Sequence, residues 1–195
     1  MSFVLEFLAD PRNIGAVAPS SRQLARRMVA AADLRPGHVV VELGAGTGPV
    51  TRELITSVEP ARFVALEPNA KLADKLERRC PGAMVDRRVA QHLPAIVAEH
   101  RWSQVDRVVS SLPFAIWPDG LQREVLGAIV DVLAPEGRFV TFSYLQSQLL
   151  PAAQRFRRRL AETFDEVTIA GTAWWNLPPA LVWCCRNARS RVSRG

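Results

Sequence analysis

A chain of 195 residues, 48% hydrophobic and 23% charged, has the size and balance of one folded domain with a full core. No apolar run reaches the roughly 20 residues of a membrane span, no basic-apolar-small leader is visible, and Cys80, Cys184 and Cys185 show neither metal-ligand spacing nor an even disulfide framework. The net charge of +6 is carried almost wholly by arginine, lysine occurring only at Lys71 and Lys75, which leaves an anionic partner open (a membrane surface or a nucleic acid) beside the plain reading of an arginine-rich genome.

Residues 2–9 put Phe3, Val4, Phe7 and Leu8 on one helical face, and Pro11 and Asn13 break the pattern. A second helix follows Pro19, with Ser20 or Ser21 as its cap and Leu24, Met28 and Val29 on its apolar side. Pro36-Gly37 turns the chain into a strand at 38–43. The periodicity then predicts helix 49–58, strand 62–66, helix 69–79, strand 83–86, helix 91–99, strand 105–110, helix 119–133 and strand 138–143, with Ala134 to Gly137 as a tight turn. A basic helix at about 149–163 precedes strands near 165–171 and 180–185, close enough to pair antiparallel. Strand-helix alternation implies an α/β fold, a mostly parallel seven-stranded sheet covered on both faces. The expectation is one cytoplasmic domain over 1–195, with a helical cap at 1–35 and a basic tail at 186–195.

The stretch Val39-Val40-Val41-Glu42-Leu43-Gly44-Ala45-Gly46-Thr47-Gly48 is an apolar, β-branched run ending in three alternate glycines, with Pro49 suited to the first turn of a helix. Glycine allows a sharp turn and close approach of a ligand to the backbone. This is a cradle for an adenosine-type cofactor at the carboxyl end of a strand. The next strand ends at Glu67, whose carboxylate can accept from both ribose hydroxyls. The dinucleotide fingerprint is G-x-G-x-x-G, whereas here the spacing is G-x-G-x-G with Glu42 two residues ahead.

That pattern resembles motif I of the class I S-adenosylmethionine-dependent methyltransferases. Over nearly the whole length the chain is similar to the soluble bacterial phospholipid N-methyltransferases. The match is carried by Asn13-Ile14-Gly15-Ala16-Val17-Ala18-Pro19-Ser20-Ser21-Arg22, the glycine loop, Val108-Val109-Ser110-Ser111-Leu112-Pro113-Phe114 and Trp175-Asn176-Leu177-Pro178-Pro179-Ala180-Leu181-Val182-Trp183. The resemblance implies a single Rossmann-like domain, S-adenosylmethionine as donor with S-adenosylhomocysteine as product, and no metal. It also implies methylation of phosphatidylethanolamine, successively toward phosphatidylcholine, by a monomer held peripherally on the inner membrane, with no nucleic acid partner. One departure stands out. The family's Gly-Asp-Ala after the third strand is Arg88-Val89-Ala90 here, so adenine contacts fall to backbone near Ala90 and to Gln91.

The resemblance gives the cofactor Glu42, Gly44, Ala45, Gly46, Gly48, Glu67, Pro68, Ala90, Gln91 and Ser110. Methyl transfer from a sulfonium needs alignment and exclusion of water rather than a covalent nucleophile, and the amine must be neutral. Ser111 and Leu112 follow the fourth strand at a place where rRNA adenine dimethylases carry an asparagine, so the loop is either an acceptor for the amine or an ordinary turn. Tyr144 is the only tyrosine, at the carboxyl end of the fifth strand; it either orients the headgroup or packs in the core. Ser20, Ser21 and Arg22 open a helix and suit a phosphate, or simply cap it. Phe114 and Trp117 lie in an apolar loop suited to a greasy ligand or to packing under Asn176. His92 is a further base candidate. The rivals are an rRNA adenine dimethyltransferase, a small-molecule methyltransferase, and a non-catalytic membrane protein that binds the cofactor.

Overall fold

The computed structural model describes residues 21–189. The expected helix at 2–9, Ser20 and the end of the basic tail lie outside the described residues.

Helix α1 (Arg22–Ala32) is capped by Ser21, whose Oγ accepts from the Leu24 amide at 3.2 Å. Strand β1 (Val40–Leu43) leads through the glycine loop into α2 (Pro49–Leu54), with Pro49 in its first turn. Then come β2 (Phe63–Leu66), α3 (Ala70–Arg79), β3 (Val85–Asp86), α4 (Leu93–Glu99), β4 (Val105–Ser110), α5 (Asp119–Val132), β5 (Leu133–Tyr144), α6 (Pro151–Thr163), β6 (Phe164–Ala173) and β7 (Ala180–Ala188).

The seven strands run in the order β3-β2-β1-β4-β5-β7-β6. The first five pair in parallel, and β7 lies antiparallel between β5 and β6. All four residues of β1 and of β2 are buried, as strands covered on both faces require. On one face Val41, Leu43, Val108 and Phe139 pack with α4, α5 and α6 residues such as Leu93, Val125 and Phe156. On the other, Val40, Ala65, Val109 and Val140 pack with Leu24 and Met28 of α1, Leu54 of α2 and Leu76 of α3.

The expected strand-helix order holds, with shifted ends. The helix expected to reach residue 58 stops at Leu54; just beyond it the Thr56 hydroxyl donates to the Glu53 carbonyl at 2.8 Å, competing with further helix. The helix expected from 91 begins instead as a 3₁₀ turn, Ala90–His92. Residues 134–137, expected as a tight turn, fall instead inside β5. Leu133 pairs with Val105 and the next pair is Arg138 with Arg107, so the segment between bulges out.

Every parallel strand ends at the same edge of the sheet. There the glycine loop, the turn after β4 and the residues after β5 meet, and the sheet order reverses beside β1.

Candidate active site

Gly44, Gly46 and Gly48 have φ of 74°, 59° and 88°, the left-handed region where a side chain is strained. The loop they form is tied to β2. The amides of Gly44 and Ala45 both donate to the Leu66 carbonyl, at 2.9 and 3.1 Å. A Cβ on Gly44 would sit 2.8 Å from Leu112 Cδ2, and one on Gly48 would strike Leu76 and Cys80, whereas Gly46 faces open space. The loop is therefore packed at both ends and open in the middle.

Glu67 closes the arrangement from the end of β2. Its Oε2 accepts from the Gly46 amide at 2.7 Å and its Oε1 from the Asn69 amide at 2.9 Å. Burial raises its pKa and the two amides oppose that rise. Each carboxylate oxygen keeps a lone pair for another donor.

Glu42 is placed differently from the other candidates. It is fully buried beneath the loop, and Oε2 accepts from the Thr51 hydroxyl of α2 at 2.7 Å. Oε1 has no partner among the described residues. Burial pushes this carboxyl up to about 8. The structure puts Glu42 under the glycine loop and not on the wall of the adjoining crevice.

That crevice is open to solvent and spans about 450 Å³ counted out to its mouth. It is lined by Gly44, Leu66 and Pro68, by Ala90 and Gln91 after β3, and by Leu112, Trp117 and Leu121. A slot this apolar, with a polar group at the edge, suits a planar heterocycle. Arg88 stands at the rim, but its guanidinium is held by Asp86 and Glu99, each at 2.7 Å. That pairing holds the Asp86 carboxyl below the usual range. So the acid at the end of β3 is spoken for, and Gln91 with nearby backbone are the polar groups left for the heterocycle's edge.

The turn after β4 is pinned against β1. The Ser111 amide donates to the Leu43 carbonyl at 2.8 Å, and the buried Ser110 Oγ accepts from the Leu112 amide at 3.2 Å. A 3₁₀ turn, Phe114–Ile116, follows and uses the carbonyls of Leu112 and Pro113. Of the three carbonyls in 111–113, that of Ser111 is the one without an internal donor among the described residues.

Phe114 and Trp117 do not present a greasy surface. Phe114 is buried and stacked on Phe156 at 4.3 Å, with Trp117 edge-on at 5.0 Å. Trp117 is itself nearly buried, and its ring joins the crevice wall. The loop is locked by a residue the sequence reading did not single out. The fully buried Gln122 amide nitrogen donates to the carbonyls of Phe114 (2.7 Å), Trp117 (3.3 Å) and Ala152 (3.1 Å). A glutamine inside an otherwise apolar helical pattern was the available signal.

Tyr144 stands at the end of β5, edge-on to Phe142, on the sheet face opposite the crevice's apolar wall. Its hydroxyl is buried with no partner among the described residues, and burial pushes its pKa up to about 12. Ser21 and Arg22 also lie away from the crevice. The Ser21 amide donates to Asn176 Oδ1 at 2.9 Å, and the exposed Arg22 side chain pairs with Glu53 at 3.3 Å. Asn176 is buried and turns its amide nitrogen onto the Pro178 carbonyl. It lay within the quoted C-terminal stretch but was given no role. His92 is exposed.

Comparison with known proteins agrees with this geometry. The family model for the methyltransferase domain matches residues 40–137. The ornithine lipid N-methyltransferase of Singulisphaera acidiphila is 36% identical over 191 residues, 96% of this chain and 95% of that protein. A ribosomal RNA small subunit methyltransferase A of Thermotoga neapolitana is 43% identical over 68 residues, 35% of this chain; the chain spans about a quarter (25%) of that enzyme's length. Among solved structures, a SAM-dependent O-methyltransferase from Thermotoga maritima shares the fold at a TM-score of 0.66 and 12% identity, over 94% of this chain and 72% of that one. The N-methyltransferase NodS from Bradyrhizobium japonicum does so at 0.60 and 15%, over 86% and 93%. With half its length matched by the domain model and nearly all of it by a full-length relative, the chain belongs to the class I S-adenosylmethionine-dependent methyltransferases.

Proposed function

We propose that the enzyme methylates the primary amine of a membrane lipid, phosphatidylethanolamine first and successively toward phosphatidylcholine, at the inner membrane surface. The observation that carries a lipid acceptor is the end-to-end similarity to a lipid N-methyltransferase, against a match to the Thermotoga ribosomal RNA enzyme that covers only 68 residues. A second reading takes the ornithine lipid named for that relative. Both lipids carry a primary amine, an anionic group and two acyl chains.

The residues present fit S-adenosylmethionine. The apolar slot takes its adenine, Glu67 has lone pairs for its ribose hydroxyls, and the glycine loop is open at Gly46 for its tail. The partnerless Oε1 of Glu42 is a free polar atom beneath that loop. When bound, the donor supplies a methyl group activated on a sulfonium. The protein's part is alignment and desolvation. Leu112 and Trp117 exclude water from the slot. Ser111, with its carbonyl and hydroxyl free among the described residues, accepts from the amine and holds it in line. An apolar site disfavours the ammonium form, so the amine enters neutral and able to attack.

Labelled donor incubated with phosphatidylethanolamine vesicles, ornithine lipid vesicles or ribosomal RNA tests the acceptor. Label extracted with phosphatidylethanolamine is the expected result. Label confined to ornithine lipid transfers the assignment to the second reading, and label in RNA refutes both. In the same assay Tyr144→Phe is expected to lower turnover about tenfold, the value of one lost hydrogen bond, with S-adenosylhomocysteine affinity unchanged. Unaltered turnover would remove Tyr144 from the headgroup site.

A further inference from the structure

Seven large hydrophobic side chains stand exposed among the described residues, and five of them share one edge of the sheet. Trp174, Trp175 and Leu177 occupy the turn between β6 and β7, and Leu149 and Leu150 the segment between β5 and α6. Leu149, Trp175 and Leu177 are 83%, 84% and 81% exposed. The two segments are joined: Tyr144 pairs with Ala180, and the Leu145 amide donates to the Pro179 carbonyl at 2.9 Å. They flank Tyr144 at the carboxyl end of β5, the end at which the glycine loop lies.

The tip is held in place from beneath. Asn176, buried between its exposed neighbours, accepts from the Ser21 amide and donates to Pro178, and the Trp175 amide donates to Gln23 Oε1 at 3.2 Å. Ordering backbone to keep indoles in water opposes the usual distribution of apolar side chains and marks an interaction surface.

The surroundings select the partner. Arg22 and Arg26 of α1 share a single carboxylate, Glu53, at 3.3 and 3.5 Å, so that group stays net positive. Beyond Leu150, Arg155, exposed one turn into α6, shares the single carboxylate of Asp119 with Arg123 and Arg159, so that group too stays net positive. Aromatic and aliphatic side chains between cationic flanks match an anionic bilayer, where indole rings settle at the headgroup level and guanidiniums meet phosphates. A second copy would bring arginines against arginines.

We infer that the turn Trp174–Leu177, with Leu149, is the wedge by which the enzyme docks on an anionic lipid bilayer, bringing the end of β5 to the headgroups. The inference rests on the lipid-acceptor reading for its purpose but is measured apart from it. The full chain is sedimented with vesicles of phosphatidylcholine with and without phosphatidylglycerol, using wild type, Trp175→Ala, Leu177→Ala, the pair combined, and Arg155→Ala. Each apolar truncation is expected to lower partitioning about tenfold. Arg155→Ala should cost about fivefold on the anionic vesicles only. Acyl-chain-brominated lipid should quench wild-type tryptophan emission, and the quenching should shrink in Trp175→Phe.

Methyl transfer to phosphatidylethanolamine dispersed in non-ionic detergent is expected to be unchanged in the truncations. Unchanged partitioning would overturn the inference. So would a wild-type minus Trp175→Phe difference spectrum already blue-shifted without vesicles, the sign that the turn is covered in the free protein. Partitioning lost by the truncations in an enzyme that methylates no lipid would retain the wedge and discard the lipid acceptor.

Discussion

Glu67→Ala is expected to weaken S-adenosylhomocysteine binding about a hundredfold, measured by titration calorimetry. The carboxylate stands at the end of β2, with its two oxygens already fixed by the amides of Gly46 and Asn69 at 2.7 and 2.9 Å. Its position is set before any ligand arrives, so little entropy is lost on binding. Hydrogen bonds to a charged acceptor contribute about 1.5–3 kcal/mol each, and two lost ribose contacts correspond to about two orders of magnitude or more. The variant should also melt earlier, because the Gly46 and Asn69 amides lose their acceptor. Glu67→Gln separates the two effects. It retains one carbonyl oxygen and should bind about tenfold more weakly than wild type. Wild-type affinity in Glu67→Ala would mean that the ribose is held elsewhere.

The second large effect is a dependence of stability on pH that originates at Glu42. The side chain is fully buried, and its single hydrogen bond, from Thr51, does not offset the loss of water, so its carboxyl titrates at about 8 against an ordinary 4.5. The folded protein therefore prefers the protonated acid. Its contribution to stability is complete below pH 4.5 and is lost progressively as pH rises toward 8. A shift of this size corresponds to roughly 5 kcal/mol across that interval. Glu42→Gln, neutral at every pH, should show no such loss. Melting temperatures of the two proteins, followed from pH 5 to about 9, should diverge in favour of the variant as pH rises. Parallel curves would show that Glu42 is not the buried acid responsible.

Much of the fold was legible because each parallel strand announces itself as an apolar run between turn signals. The glycine loop was legible for a different reason: three alternate glycines before a proline mark places where the backbone can take the left-handed conformation closed to other residues, and all three adopt it. What stayed hidden depended on contacts between distant segments. Whether Phe114 and Trp117 meet a greasy ligand or pack under Asn176 stays open in the sequence, because an apolar loop gives no sign of what covers it. The cover is Phe156, which arrives from α6. Gln122 and Asn176 were missed because an amide in a sequence does not reveal the carbonyls or amides it will meet. Glu42 was foreseen as an acid ahead of the glycines. That it turns toward Thr51 and away from the crevice wall depends on where α2 packs.

Gln122 has a bearing on how the acceptor range of such an enzyme could be altered. One nitrogen with two hydrogens serves three oxygens, contributed by the turn after β4 and by the first residues of α6. Leucine or glutamate at that position would strand all three oxygens together, and the rings of Phe114 and Trp117 would lose their seat. A library aimed at new headgroups should therefore leave Gln122 fixed and diversify its neighbour Leu121, which touches the slot but anchors no backbone.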